Sequence, residues 1–165
     1  MSEGNLLDLS VLTAVEGGET VARALYPPEW DETVRRGSPG CFKRNNTSVT
    51  RCGQMSFADL LARLKNDVER PGSDVVIRAV GLISVARVKA IGAANQKPIH
   101  FEVWEKATES NPDHAEISPY DVAAQSLPNK AVPRGLSSQL SKALDLTLVT
   151  PDGEIDGYNP PHHDP

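Results

Sequence analysis

The sequence predicts an α+β protein: a single compact domain with a small mixed β-sheet, two main helices packed on it and a disordered C-terminal tail. The length of 165 residues, with 39% hydrophobic and 24% charged side chains, suits one core. Strand-like alternation and helical spacing follow one another along residues 1–149. Residues 150–165 are rich in proline and glycine and nearly devoid of apolar side chains, which predicts a flexible tail.

The first half of the chain predicts two strands and one clear helix. Residues 6–15 carry apolar side chains three apart, typical of a short helix or an apolar arm. Residues 20–26 alternate in polarity before a proline pair, as in a strand that leaves a sheet, and residues 47–50 favour a second strand. The helix begins at Ser56, whose hydroxyl can cap it, and keeps an apolar face as far as Val68.

The second half predicts the centre of the sheet. Residues 75–83 are apolar at nearly every position, which indicates a central strand covered on both faces. Ser84 can cap a brief helix over residues 85–91, and Gly92 supplies a left-handed stop. The remaining predicted elements are strands at 99–105 and 114–118 and an amphipathic helix at 135–146.

Charge and composition exclude several classes of function. Lys and Arg number 17 against 22 Asp and Glu, and this net charge of −5 disfavours nonspecific nucleic-acid binding. No apolar run is long enough to span a bilayer, and no secretory signal is recognisable, so we expect a cytoplasmic protein without a membrane segment. Cys41 and Cys52 are expected to be reduced thiols, and His162 and His163 lack partners for a metal site.

The string Asn-Pro-Asp-His-Ala-Glu-Ile at residues 111–117 contains the candidate catalytic residues. In an extended chain His114 and Glu116 point to the same side, since side chains repeat every two residues. An imidazole beside an acid can serve as a general base near neutral pH or hold a ligand hydroxyl. In the alternative interpretation, His114 staples the Asn-Pro turn and Glu116 is solvated.

Arg23, Ser48 and Arg51 are the candidate cofactor-binding residues. Arg23 is a lone cation in an apolar strand, and a buried guanidinium requires an anion, either a carboxylate of this chain or a ligand phosphate. If the Arg23 side chain lies on a solvated face of the sheet, it requires neither of these anions. Residues 43–51 concentrate cations, amides and hydroxyls that can form an anion site, or an ordinary turn.

Two resemblances follow from these motifs. Arg-Ala-Leu-Tyr-Pro-Pro at residues 23–28, the segment 38–51 and the Asn-Pro-Asp-His-Ala-Glu-Ile string resemble a group of small uncharacterised bacterial proteins, a resemblance that implies a fold and no known activity. The order of Arg23, Ser48 and Glu116 also resembles the Arg-Ser-Glu order of ADP-ribosyltransferase-like domains, which include NAD-consuming bacterial toxins.

The second resemblance implies a role for each of the three residues. Arg23 would hold the dinucleotide, Ser48 would begin a strand that shapes the pocket, and Glu116 would hold a ribose hydroxyl and stabilise the cationic transition state. The sequence departs from the family in having one acid where the family has Glu-x-Glu.

The sequence therefore leads to two alternative functions. The first is a small cytosolic bacterial binding or accessory module with a protein partner, in a toxin or defence-type system, using Trp30 or Trp104 as an anchor if exposed. The alternative is an ADP-ribosyltransferase-like enzyme that binds NAD or another nucleotide. The enzyme requires a guanidinium, a hydroxyl and the His114 imidazole with its acid companion to converge in one concavity.

Overall fold

The computed structural model describes residues 12–150, 152 and 155, and its architecture confirms the α+β class and the single domain. The strands are β1 Thr20–Leu25, β2 Trp30–Asp31, β3 Arg36–Gly37, β4 Thr47–Arg51, β5 Ala79–Ser84, β6 Phe101–Glu105, β7 His114–Pro119 and β8 Asp145–Leu148. The helices are α1 Phe57–Val68, α2 Val85–Ala94 and α3 Arg134–Lys142. No helix of the described residues is long and apolar enough to cross a bilayer.

Six strands form the main sheet in the order β6-β7-β4-β1-β5-β8, and β2 pairs with β3 in a separate small sheet. Every pairing between these strands is antiparallel, whereas the sequence predicted a mixed sheet. The predicted central strand also differs: β5 starts only at Ala79 and lies next to the edge strand β8, while β4 and β1 occupy the middle.

An extended segment covers the outer edge of β6. The Val15 amide donates to the Val103 carbonyl over 2.8 Å, and the Glu105 amide donates to the Thr13 carbonyl over 2.8 Å. Of the predicted helix or arm at 6–15, the described residues therefore form an arm, and residues 6–11 lie outside the described residues. The predicted flexible tail, with His162 and His163, also lies outside them except for residues 150, 152 and 155.

The two faces of the main sheet carry separate apolar clusters. Helices α2 and α3 cover the face that presents Val21 and Leu25, and we call it the α2/α3 face. Helix α1 covers part of the opposite face through its buried leucines, which pack with Ala22 and Ala24, and we call it the α1 face. The alternation along β1 therefore assigns each of its side chains to one of two environments.

Both predicted serine caps are confirmed, but the role of Gly92 is different. The Ser56 hydroxyl accepts the Asp59 amide at the start of α1, and the Ser84 hydroxyl accepts the Arg87 amide at the start of α2. Gly92 lies inside α2, which continues to Ala94. A Cβ at Gly92 would meet the Phe101 ring at 2.6 Å, so this glycine permits α2 to approach β6 closely.

Replacement of Gly92 by alanine is expected to destabilise the domain by about 2 kcal/mol, because the added methyl group overpacks the contact between α2 and β6. Gly135→Ala in α3 is the matched control, since no atom lies within 4 Å of a Cβ at that position. Urea denaturation measures both variants. Equal stability of the two would contradict the close approach at Gly92.

Candidate functional site

Arg23 is a buried cation that this chain neutralises with its own groups. Its side chain is 10% exposed, and its Nη2 atom lies 2.5 Å from the Glu29 carboxylate. Nη1 donates to the Ser48 carbonyl over 3.2 Å, and Nη2 is also 3.4 Å from the Cys41 carbonyl. Of the two predicted anions, a carboxylate of the chain is therefore the one observed. The guanidinium links β1 to two loops and to β4.

Arg51 is held by two carboxylates. Its Nε and Nη2 atoms donate to Glu19 over 2.9 Å and 2.7 Å, and Nη1 pairs with Glu105 of β6. The hydrogen bonds that Arg51 donates to Glu19 lower the pKa of the Glu19 carboxyl, and the same bonds raise the pKa of Arg51. Arg51 thus closes an ion-pair network at one end of the sheet.

The strand register separates the candidate residues. Arg51 lies opposite Val21, and Arg23 lies between Val21 and Leu25 along β1, so both arginines belong to the α2/α3 face. Ser48 lies opposite Glu116. In the same register Thr50 lies opposite His114, and directly paired residues share a face. Ser48, His114 and Glu116 therefore belong to the α1 face.

Three of the five candidates border a cavity that is too small for a nucleotide. Atoms of Arg23, Ser48 and His114 border a space of about 20 Å³ under α1, although the strand alternation places the Arg23 side chain on the opposite face. Glu116 and Arg51 do not line this space. Such a space accommodates roughly one water molecule, whereas small-molecule sites occupy about 300–1,000 Å³. The convergence that the enzyme hypothesis requires is not observed in the described residues. Catalysis by His114 and Glu116 stays a prediction without this geometric support.

The Asn-Pro-Asp-His string forms a turn that hydrogen bonds and one ion pair hold in place. Asn111 is fully buried. Its side-chain Nδ2 donates to the Thr50 hydroxyl over 2.9 Å, and its side-chain Oδ1 accepts the backbone amide of Asp113 over 3.1 Å. The Asp113 carboxylate pairs with Arg63 of α1 at 3.1 Å. His114 Nδ1 donates to the Lys106 carbonyl over 2.9 Å. These bonds favour the interpretation in which His114 staples the turn.

Cys41 and both tryptophans are buried, and Cys52 is half-buried. Burial raises the pKa of the Cys41 thiol, and burial raises that of Cys52 to about 11. Trp30 and Trp104 are 4% and 8% exposed, so neither is the surface anchor that the sequence left open. No group of His, Cys, Asp or Glu among the described residues is placed to hold a metal ion.

A more prominent concavity is a groove of about 510 Å³ at the start of β6 and the end of β7, which we call the Tyr120 groove. Three segments line it: 98–100 before β6, 119–123 after β7, and 128 with 130–133 before α3. Four of its lining residues are prolines, namely Pro98, Pro119, Pro128 and Pro133. Its walls are therefore mostly apolar and conformationally restricted.

Local hydrogen bonds and ring contacts hold the groove in shape. The Tyr120 ring packs at 5.6 Å from Trp104 and at 5.9 Å from His100, measured between ring centroids. The Tyr120 amide donates to the His100 carbonyl over 2.7 Å. Val122 projects from the wall with 61% of its surface exposed. The groove thus offers an aromatic ring and an exposed aliphatic side chain on an ordered loop.

The sequence analysis missed the Tyr120 groove because it predicts no element between the strand at 114–118 and the helix at 135–146. The clustering of prolines around Tyr120 and Val122 was the available signal. Comparison of the chain with protein-family models, curated proteins and solved structures finds no match. The two resemblances described above therefore remain predictions.

The Arg23 ion pair leads to a stability prediction. Glu29→Gln leaves a buried guanidinium without its anion and is expected to lower the free energy of unfolding by about 3 kcal/mol. Glu32→Gln is the control, because the Glu32 carboxylate is 51% exposed and its pair with Arg78 contributes at most about 1 kcal/mol. Urea denaturation of both variants checks this, and an equal loss would contradict the importance of burial.

The lowered pKa of Glu19 leads to a pH prediction. The Arg51 pair contributes stability above the ordinary Glu pKa of 4.5, and this contribution is lost as pH falls through the lower folded-state pKa. Glu19→Gln is expected to cost about 1 kcal/mol at pH 7 and to reduce the loss of stability below pH 4.5. Glu109→Gln, at an exposed acid, serves as the control. The free energy of unfolding is measured from pH 7 to about pH 3. The prediction is refuted if both variants lose stability with falling pH as steeply as the wild-type protein.

Proposed function

We propose that this protein is a small binding module that holds an extended segment of a partner protein in the Tyr120 groove. The observation that carries the proposal is the groove itself, an ordered apolar concavity of about 510 Å³ with an aromatic side chain in its wall. Its volume lies within the range of sites that take small ligands or several residues of a peptide. Aromatic-lined grooves are a recurring means of binding extended, proline-containing segments.

Preorganisation supports this function. Proline backbones in the walls have little conformational freedom to lose, so binding costs less ordering entropy than it would on a mobile loop. The wall after β7 is further tied by the Asp121 carboxylate, which accepts the Ala124 amide over 3.0 Å. The Val132 amide donates to the Lys43 carbonyl over 2.7 Å and anchors the opposite wall. A partner segment would meet a surface that is already in position.

The polar groups of the groove support binding more than catalysis. His100 Nε2 lies 3.1 Å from the Glu102 carboxylate, outside the groove lining, and Asp121 is engaged with its own loop. The described lining residues include no serine, threonine or cysteine, so the groove lacks the aliphatic hydroxyl and thiol nucleophiles. The groups that remain available are apolar surfaces, backbone and the Tyr120 and Lys130 side chains.

We further propose that the module acts in the bacterial cytoplasm and serves a toxin or defence-type system, as expected from the sequence. Its two free thiols, of which Cys41 is buried, are compatible with a reducing compartment.

The proposal predicts that Val122→Asp weakens peptide binding in the groove. A displayed library of random peptides, each about twelve residues long, is selected on the full-length protein, and affinities of synthetic copies are measured by fluorescence anisotropy. The added carboxylate is expected to weaken binding at least tenfold because it introduces a charge into the apolar wall.

Val34→Asp is the matched control, since Val34 is 50% exposed and does not line the groove. It is expected to leave the affinity unchanged. Circular dichroism establishes that both variants are folded. Failure to select any peptide, or binding that is indifferent to Val122→Asp, would refute the proposed function.

A further inference from the structure

A second depression adjoins the Tyr120 groove and differs from it in chemistry. It measures about 290 Å³ and shares Lys130 and Ala131 with the groove. Its other lining residues are Arg44, Asn45, Asn46 and Asn129. The depression therefore places two cations and three amides beside an apolar surface, and we call it the basic end of the groove.

The two cations of the basic end have no counter-charge from the part of the chain that the structure describes. Among the described residues, neither the Arg44 guanidinium nor the Lys130 ammonium has an ion-pair or hydrogen-bond partner. Other cations of the described residues do form ion pairs within the chain, namely Arg23, Arg51, Arg63, Arg70, Arg78 and Lys89. The basic end therefore brings two unpaired cations into one depression.

Backbone contacts bring the two cationic loops together. The bond from the Val132 amide to the Lys43 carbonyl joins the segment before α3 to the loop before β4. Arg44 follows Lys43 directly, and Lys130 precedes Val132 by two residues. The two charges are therefore supplied by separate loops at one junction. Their presence in the same depression is a property of the folded chain, since 86 positions separate them in sequence.

We infer that the segment bound in the groove is acidic, with apolar side chains along Tyr120 and Val122 and Asp or Glu carboxylates on Arg44 and Lys130. This inference rests on the proposed function and names the chemistry of the partner. Two cations on separate loops match two side-chain carboxylates, whereas a C-terminal carboxylate supplies a single charge. The three asparagine side chains add hydrogen-bond donors for the carboxylate oxygens.

The inference also assigns part of the anion site that residues 43–51 suggested. Arg44, Asn45 and Asn46 line the basic end, while the residues from Thr47 onward form β4. The anion-binding chemistry of that run therefore belongs to its first half. Ser48 and Arg51, which were the predicted cofactor-binding residues within it, contribute to the sheet instead.

The library selection tests this inference through the charge of the recovered peptides. Peptides selected on the wild-type protein are expected to be enriched in Asp and Glu. Replacing each acid of the best peptide by Asn or Gln is expected to weaken its binding about fivefold per charge. The double variant Arg44→Gln/Lys130→Gln is expected to bind the acidic and the amide peptide equally, and raised salt to reduce the wild-type preference.

Arg87→Gln/Lys142→Gln removes the same charge from exposed positions outside both depressions and is expected to keep the preference. Groove binding that shows no acid preference, or a preference that survives Arg44→Gln/Lys130→Gln, overturns the inference and leaves the proposed function standing. Loss of binding on C-terminal amidation alone overturns it too, because the recognised group would then be the terminus. If no peptide is recovered, the proposed function fails first, and this inference fails with it.

Discussion

The burial of a positive charge at the centre of the sheet is the constraint on which the rest of the structure depends. Arg23 lies on β1, which pairs with β5 along its whole length and with β4 at Val21 and Ala22. A guanidinium in that position must be neutralised, and Glu29 meets this requirement from the loop that follows β1. The loops at Glu29 and Cys41 are thereby drawn against the sheet, and they close the end of the core near Phe42.

Local sequence signals predicted the three helices and the strands β1, β4, β5, β6 and β7, because such signals act within one turn or one strand. They did not predict β2, β3 or β8, and the helix predicted over 135–146 ends at Lys142. The serines before α1 and α2 cap those helices, and the two-residue alternation in β1, β6 and β7 matches their pairing as strands. Strand order was less accessible, since antiparallel pairing and the position of β5 beside β8 depend on contacts between distant residues. Gly92 is a further example. The local sequence predicts that it ends a helix, whereas in the structure it lies inside α2 and makes room for the Phe101 ring, which is distant in sequence.

The candidate site illustrates why polar residues in a strand are ambiguous. The sequence correctly placed His114 and Glu116 on one side of an extended segment, since that follows from the period of a strand. It could not reveal that Arg23 belongs to the other face, because faces are assigned by the register between strands. The Tyr120 groove was harder still, because irregular segments joined by backbone hydrogen bonds form it, and such segments have no periodicity to detect.

The arm at residues 13–15 has a consequence for how the molecule behaves in concentrated solution. A bare β6 edge would present unpaired amides and carbonyls to any neighbouring copy, and sheets exposed in this way pair edge to edge. Hydrogen bonds from Val15 and to Thr13 occupy that edge instead. The chain therefore protects the β6 edge of its own sheet, next to Trp104, from polymerisation. A shortened chain that begins after this arm would expose that edge.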